Sequence, residues 1–150
     1  MLFSVSIVPR IERKGVYPMA LDGVSRDKLR ELDDFSMKYE VAVHAFGTEN
    51  YSEEFFDFYE IKNRTPEPMA LPDSFIEIAV ERCGEFCLPV AEKAVSLFGE
   101  PKRVTVFDND SALKEELEGA LGLAPFFFVF EILFCEYEGL TICFISGSNN

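Results

Sequence analysis

The sequence predicts an α+β fold: a predominantly antiparallel sheet that includes a C-terminal β-hairpin over about residues 126–146, with helices packed on at least one face. Three observations carry that expectation. Phe126 to Tyr137 and Leu140 to Ser146 are β-rich runs separated only by Glu138-Gly139, the spacing of a two-residue hairpin turn. Val41–Phe46 and Arg103–Phe107 are further short β-rich runs ended by Gly47 and Asp108. Between these runs lie segments whose apolar residues recur at helical spacing.

Taken in order, Phe3, Val5 and Ile7 alternate with Ser4 and Ser6, which predicts a strand ended by Pro9. Residues 9–24 hold Pro9, Gly15, Pro18 and Gly23 without any period and are expected to form a loop. Ser25 is placed to cap an amphipathic helix that buries Leu29, Leu32, Phe35 and Tyr39. Residues 51–62 fit both periods: Phe55, Phe58 and Tyr59 suit a helix after Ser52, whereas Phe56 and Phe58 suit a strand, and a strand is expected in the second half. Pro66, Pro68 and Pro72 crowd residues 63–72, which read as a surface connection. A helix then starts at Asp73 or Ser74, carries Ile76, Ala79, Val80 and Cys83 inward and meets Gly84. A further helix follows Pro89, packs Val90, Ala94 and Leu97, and stops at Gly99. After the strand Arg103–Phe107, Asp108, Asp110 or Ser111 caps a helix holding Leu113, Leu117 and Leu121.

The hairpin register follows from its turn. If Tyr137 faces Leu140, Phe134 faces Cys143 and Cys135 faces Ile142. Phe130, Ile132, Phe134, Cys143 and Ile145 then share one side, and Val129, Leu133, Cys135, Tyr137, Leu140, Ile142 and Phe144 the other. Both sides are apolar, so the hairpin belongs in a sheet covered on both faces, or covered on one and offered to a partner. Glu131, inside this run, is expected on an edge strand with its carboxylate in water; the alternative is a buried, paired carboxylate.

With 150 residues, of which 48% are hydrophobic and 27% charged, the chain fits one domain, 1–150, able to fold without staples. Its 16 Phe and 5 Tyr, with no Trp, predict a Phe-packed core. The formal charge of −13 repels a phosphate backbone, so direct nucleic-acid binding is not expected. Residues 1–50 are nearly balanced at 8 acids and 7 bases, whereas 51–100 carry 11 and 4 and 101–150 carry 8 and 3. Neither an export signal nor a membrane span is read: the most apolar stretch, Ala120 to Cys135, is interrupted by Pro125 and Glu131 and falls short of the ~20 residues that cross a bilayer. A cytoplasmic location with four free thiols follows as the expectation, and no cofactor is anticipated.

The motifs that carry chemistry are incomplete. Cys83-x-x-x-Cys87, Cys135 and Cys143 lack zinc-knuckle spacing, and the hairpin register sends Cys135 and Cys143 to opposite faces, so neither zinc nor a disulfide is expected. His44 is the single histidine, so any Ser-His-Asp or Cys-His mechanism must use it. No nucleophile signature accompanies it, and a packed or surface histidine is expected, facing away from Val41 and Val43. Val104-Thr105-Val106-Phe107-Asp108-Asn109-Asp110 resembles the first motif of haloacid-dehalogenase-type phosphotransferases, which implies a metal-dependent hydrolase using Asp108 and Asp110. The likeness spans seven residues; that family continues with a small residue and Thr or Val, where this chain has Ser111 and Ala112. Helix capping accounts for the same residues.

Glu77, Glu81 and Glu85 stand four residues apart, an acidic stripe beside the apolar helix face. Each exposed like-charge step costs a helix about 0.2–0.5 kcal/mol, a cost that a cationic partner removes. Asp57 and Glu60, with Glu53 and Glu54, form a second cluster if their segment is helical. Together these features favour an acidic protein-binding module over an enzyme, with Glu77, Glu81, Glu85, Asp57 and Glu60 as partner-binding residues and a basic protein as partner. The profile is similar to that of small acidic immunity proteins, which neutralise basic bacterial toxins such as nucleases. A structural or regulatory subunit that pairs through its hairpin, with another chain or a second copy, is the remaining alternative.

Overall fold

A computed structural model describes residues 23–39, 41–46, 51–58, 67–107 and 129–148 of the chain. These residues form four α-helices, α1 (Gly23–Met37), α2 (Tyr51–Phe58), α3 (Phe75–Cys83) and α4 (Leu88–Phe98). The five strands are β1 (Val41–Phe46), β2 (Pro68–Leu71), β3 (Arg103–Phe107), β4 (Val129–Tyr137) and β5 (Leu140–Ser148). All strand pairings are antiparallel, in the order β1-β5-β4-β3-β2. The fold is therefore α+β, built on an antiparallel sheet with a C-terminal hairpin.

The hairpin has the register its turn implies: Tyr137 pairs with Leu140, Cys135 with Ile142 and Phe134 with Cys143. Gly139 sits at φ 73°, a left-handed conformation that a residue without Cβ adopts at no steric cost and that lets β5 follow β4 directly. Alternation then sorts the sheet into two faces. Val41, Val43, Val104, Leu133, Ile142 and Phe144 form one core with the buried Leu29 and Leu32 of α1, Phe75, Ile78 and Ala79 of α3, and Val90, Ala91 and Ala94 of α4. Burying each large apolar side chain contributes roughly 1.5–3 kcal/mol, and the helices gain it only by docking their apolar stripes here.

The other face carries the phenylalanines. Phe55 of α2 meets Phe134 edge-on at 5.4 Å and Phe46 at 6.2 Å, and Phe107 meets Phe134 at 4.8 Å. Such pairs contribute about 0.5–1.5 kcal/mol each beyond area burial. The sheet is thus covered on both faces, by α1, α3 and α4 on one and by α2 on the other.

Several elements differ from the sequence reading. α1 begins at Gly23, two residues before Ser25, so Ser25 lies in its first turn rather than at its cap. Of the second half of residues 51–62, where a strand is expected, residues 57 and 58 are instead helical, because α2 runs through Phe58, and residues 59–62 lie outside the described residues; Tyr51 and Phe55, one turn apart, both bury. The expected connection over residues 63–72 contains β2, a short edge strand on β3 in which Pro68 pairs with Phe107. Proline is tolerated there because it opens the strand, at the sheet edge. Glu131 lies on a central strand rather than an edge, and Arg82 of α3 pairs with it at 3.1 Å. The N-terminal strand over Phe3–Ile7, the helix after Asp108 and the hairpin residues before Val129 lie outside the described residues.

Candidate functional site

The acidic residues divide between the two sides of the sheet. α3 is opened by a capping box: Ser74 Oγ accepts from the Glu77 backbone N–H at 3.4 Å, and Glu77 Oε1 accepts from Ser74 N–H at 3.4 Å. Glu77 therefore holds the helix start as well as carrying charge. Glu81 is exposed on the last turn. Glu85 leaves the helix, because α3 ends at Cys83 and Gly84, at φ 101°, turns the chain into a 3₁₀ turn, Glu85–Cys87. The even stripe expected for Glu77, Glu81 and Glu85 is thus helical only at its first two members. Asp57 is exposed on α2, beyond the opposite face of the sheet, and Glu60 lies outside the described residues.

Between Glu85 and Cys87 stands a residue that the sequence reading passed over. Phe86 is 43% exposed, the only exposed aromatic among the described side chains. Its ring lies against Gly84: a Cβ added there would stand 3.2 Å from Phe86 Cδ1. Glycine is required at this point twice over, for its positive φ and for the closeness of the ring. The junction between α3 and α4 therefore presents an exposed apolar ring with Glu85 beside it and Glu81 on the preceding turn. The available sequence signal was an aromatic residue just past a helix-ending glycine and outside the apolar periodicity of either helix.

A second polar group sits at the hairpin end of the α2 face. Tyr51 Oη lies 2.6 Å from Thr105 Oγ1 and donates to Glu136 Oε2 at 3.1 Å. Arg103 grips the same carboxylate through two bonds, Nη2 to Oε1 at 2.8 Å and Nε to Oε2 at 3.1 Å. Burial, with the Glu136 carboxylate nearby, pushes the Tyr51 phenol up to about 12, while its bond with Thr105 acts in the opposite sense. The hydroxyl therefore stays protonated as a donor. These residues border an open depression of about 510 Å³ with Lys102 and Glu138, but the tyrosine, arginine and carboxylate are engaged with one another. Their arrangement ties the start of α2 to β3 and β4, and sequence gave no hint of it because the partners are 54 and 85 residues apart.

His44 is buried on the α2 face, across from Cys143 and stacked on Phe46 at 5.7 Å. Desolvation lowers its pKa to about 3, so it is neutral at physiological pH. Cys135 and Cys143 point to opposite faces, as the register requires, and burial pushes both thiols well up. Among the described residues no group of three or more His, Cys, Asp or Glu side chains is disposed to hold a metal ion, and no helix is long and apolar enough to cross a membrane. Asp108 and Asp110, the residues of the phosphotransferase-like motif, lie outside the described residues.

Comparison with protein families, with curated proteins and with solved structures finds no match for this chain.

Proposed function

We propose that the chain is an acidic protein-binding module that takes a basic protein partner at the junction of α3 and α4, with Phe86 as its apolar anchor and Glu81 and Glu85 as its charged rim. The observation that carries this reading is the exposure of Phe86, whose ring lies close over Gly84, beside carboxylates. Fixed aromatic anchors ringed by polar groups dominate the energy of protein interfaces, since a rigid ring loses little entropy on binding. The net charge of −13 supplies long-range attraction for a basic surface and speeds its encounter. Glu77 adds to that field while capping its helix.

A basic toxin of the nuclease type fits this chemistry, because its own surface is built to hold phosphates and an acidic module can occupy it. The reading assigns the chain an immunity-like, neutralising role in the cytoplasm. The test is site-specific photo-crosslinking in the native cell. A photoreactive phenylalanine analogue at position 86 is expected to trap one basic protein, whereas the same analogue at Met69, exposed on the distant edge strand β2, is expected to trap none. A crosslink from Met69 alone, or an acidic protein trapped at position 86, contradicts the proposal.

A further inference from the structure

Beneath the α3–α4 junction the chain brings together Cys83 and Cys87, whose four-residue spacing would put two sulfurs on one face of a helix. α3 ends at Cys83; after the turn at Gly84 the Cys87 N–H donates to Gly84 O at 3.1 Å, folding Cys87 back toward the helix end. Cys87 Sγ donates to the Cys83 carbonyl oxygen, 3.9 Å away, and both cysteines face the same space. Ser146 of β5 lies beside them. All three residues line one small cavity, otherwise apolar, between Phe75, Ala79 and Val90. Its volume of about 10 Å³ is roughly that of a single water. That space suits one added oxygen atom.

The two thiols are not equivalent. The neighbouring Cys87 thiol holds the Cys83 thiol below its usual range against the effect of burial; Ser146 and Arg82 act in the same direction and Glu131 opposes them. The neighbouring Cys83, together with burial, pushes Cys87 up. Cys83 is also the more accessible, half-buried where Cys87 is buried. A reactive cysteine needs thiolate character and access, and a resolving cysteine must stand next to it.

We propose that Cys83 and Cys87 are a modification site, a dithiol oxidised by hydroperoxides to a disulfide that closes residues 83–87 into a small ring. The Cys83 thiolate attacks the distal oxygen of the hydroperoxide, breaking the O–O bond; with one proton taken up, the alcohol or water leaves and Cys83 carries a sulfenic acid. Cys87 then attacks the sulfenic sulfur as its thiolate, its proton leaves with the sulfenic oxygen as water, and the S–S bond forms. Two electrons pass from the sulfurs to the peroxide, and an external dithiol reverses the step by exchange. The ring contains Gly84, Glu85 and Phe86, so oxidation re-aims the partner-binding tip. That last consequence rests on the proposed function; the redox chemistry does not.

The test is mass spectrometry of the reduced chain treated with stoichiometric hydrogen peroxide and then alkylated under denaturing conditions. The expected product is lighter by two hydrogens before alkylation, has two of its four thiols blocked, maps its disulfide to Cys83 and Cys87, and returns to four alkylatable thiols with dithiothreitol. Cys135 and Cys143 are buried and serve as internal controls that remain thiols. Cys87→Ser is expected to trap the sulfenic acid on Cys83, detected as its dimedone adduct. Four alkylatable thiols after peroxide, or a disulfide mapped to any other pair, overturns the proposal. Because the wild-type chain is read directly, a variant that fails to fold leaves the test intact, and the photo-crosslinking result bears on the partner alone.

Discussion

The hydroxyls of Tyr51 and Thr105 lie 2.6 Å apart, joining the first residue of α2 to the middle of β3 across 54 residues of chain. Both residues are buried. An eight-residue helix does not hold its shape alone in water, so α2 depends on this bond and on the phenylalanine contacts that follow it.

Tyr51→Phe keeps the ring on Phe134 but removes the hydroxyl shared by Thr105 and Glu136. The loss is expected to destabilise the fold by about 1–2 kcal/mol, because a buried hydroxyl is left without this partner. Urea unfolding checks it: the midpoint should fall with an unchanged slope. An unchanged midpoint would show that the latch contributes nothing.

His44 makes the fold acid-sensitive in a defined window. Its folded pKa, about 3, lies below the ordinary value of 6.5, so between these limits the unfolded chain binds more protons than the folded one. Stability contributed by the neutral, buried ring is complete above pH 6.5 and is lost as the pH falls toward 3, at up to about 1.4 kcal/mol per pH unit. Comparing wild type with His44→Asn between pH 7 and 4.5 isolates the effect, since the carboxylates are common to both. The variant should show the flatter decline. In the wild type the single imidazole should give NMR shifts that do not titrate down to pH 5; titration near 6.5 would place the ring in water.

Thr141, paired with Glu136 on β4 and Phe46 on β1, is fully buried, and its Oγ1 has no hydrogen-bond partner among the described residues. Valine has the same shape without the hydroxyl and suits a strand. Thr141→Val is therefore expected to raise stability by about 1 kcal/mol, read as a higher thermal midpoint. A fall would reveal a partner for the hydroxyl.

The parts of the fold legible in sequence are those set by local pattern. Val41–Phe46, Arg103–Phe107 and the hairpin register could be read because alternation and the Glu138-Gly139 turn determine them within a few residues. Phe55, Phe56 and Phe58 satisfied two periods at once, and only the aromatic face of the sheet decides between them in favour of a helix. Three nearby prolines concealed β2, whose place at the edge accommodates one of them. Glu131 was misplaced because strand order is a long-range property: β3 and β5 both flank β4, which sequence adjacency does not disclose. At the candidate site the charges of Glu81 and Glu85 and the four-residue spacing of Cys83 and Cys87 were legible, whereas the exposure of Phe86 depends on the turn at Gly84.

Partner recognition by the α3–α4 junction is tested most directly by association kinetics between the photo-captured partner and the chain carrying Glu77→Gln, Glu81→Gln and Glu85→Gln. Glutamine at position 77 can still close the capping box on Ser74, so the fold is expected to melt at the wild-type temperature or higher, relieved of like-charge repulsion. The association rate at low salt should fall about tenfold and lose most of its dependence on ionic strength, while Phe86→Ala, tested separately, should speed dissociation. Wild-type association and dissociation rates in both variants would contradict the assignment of this surface.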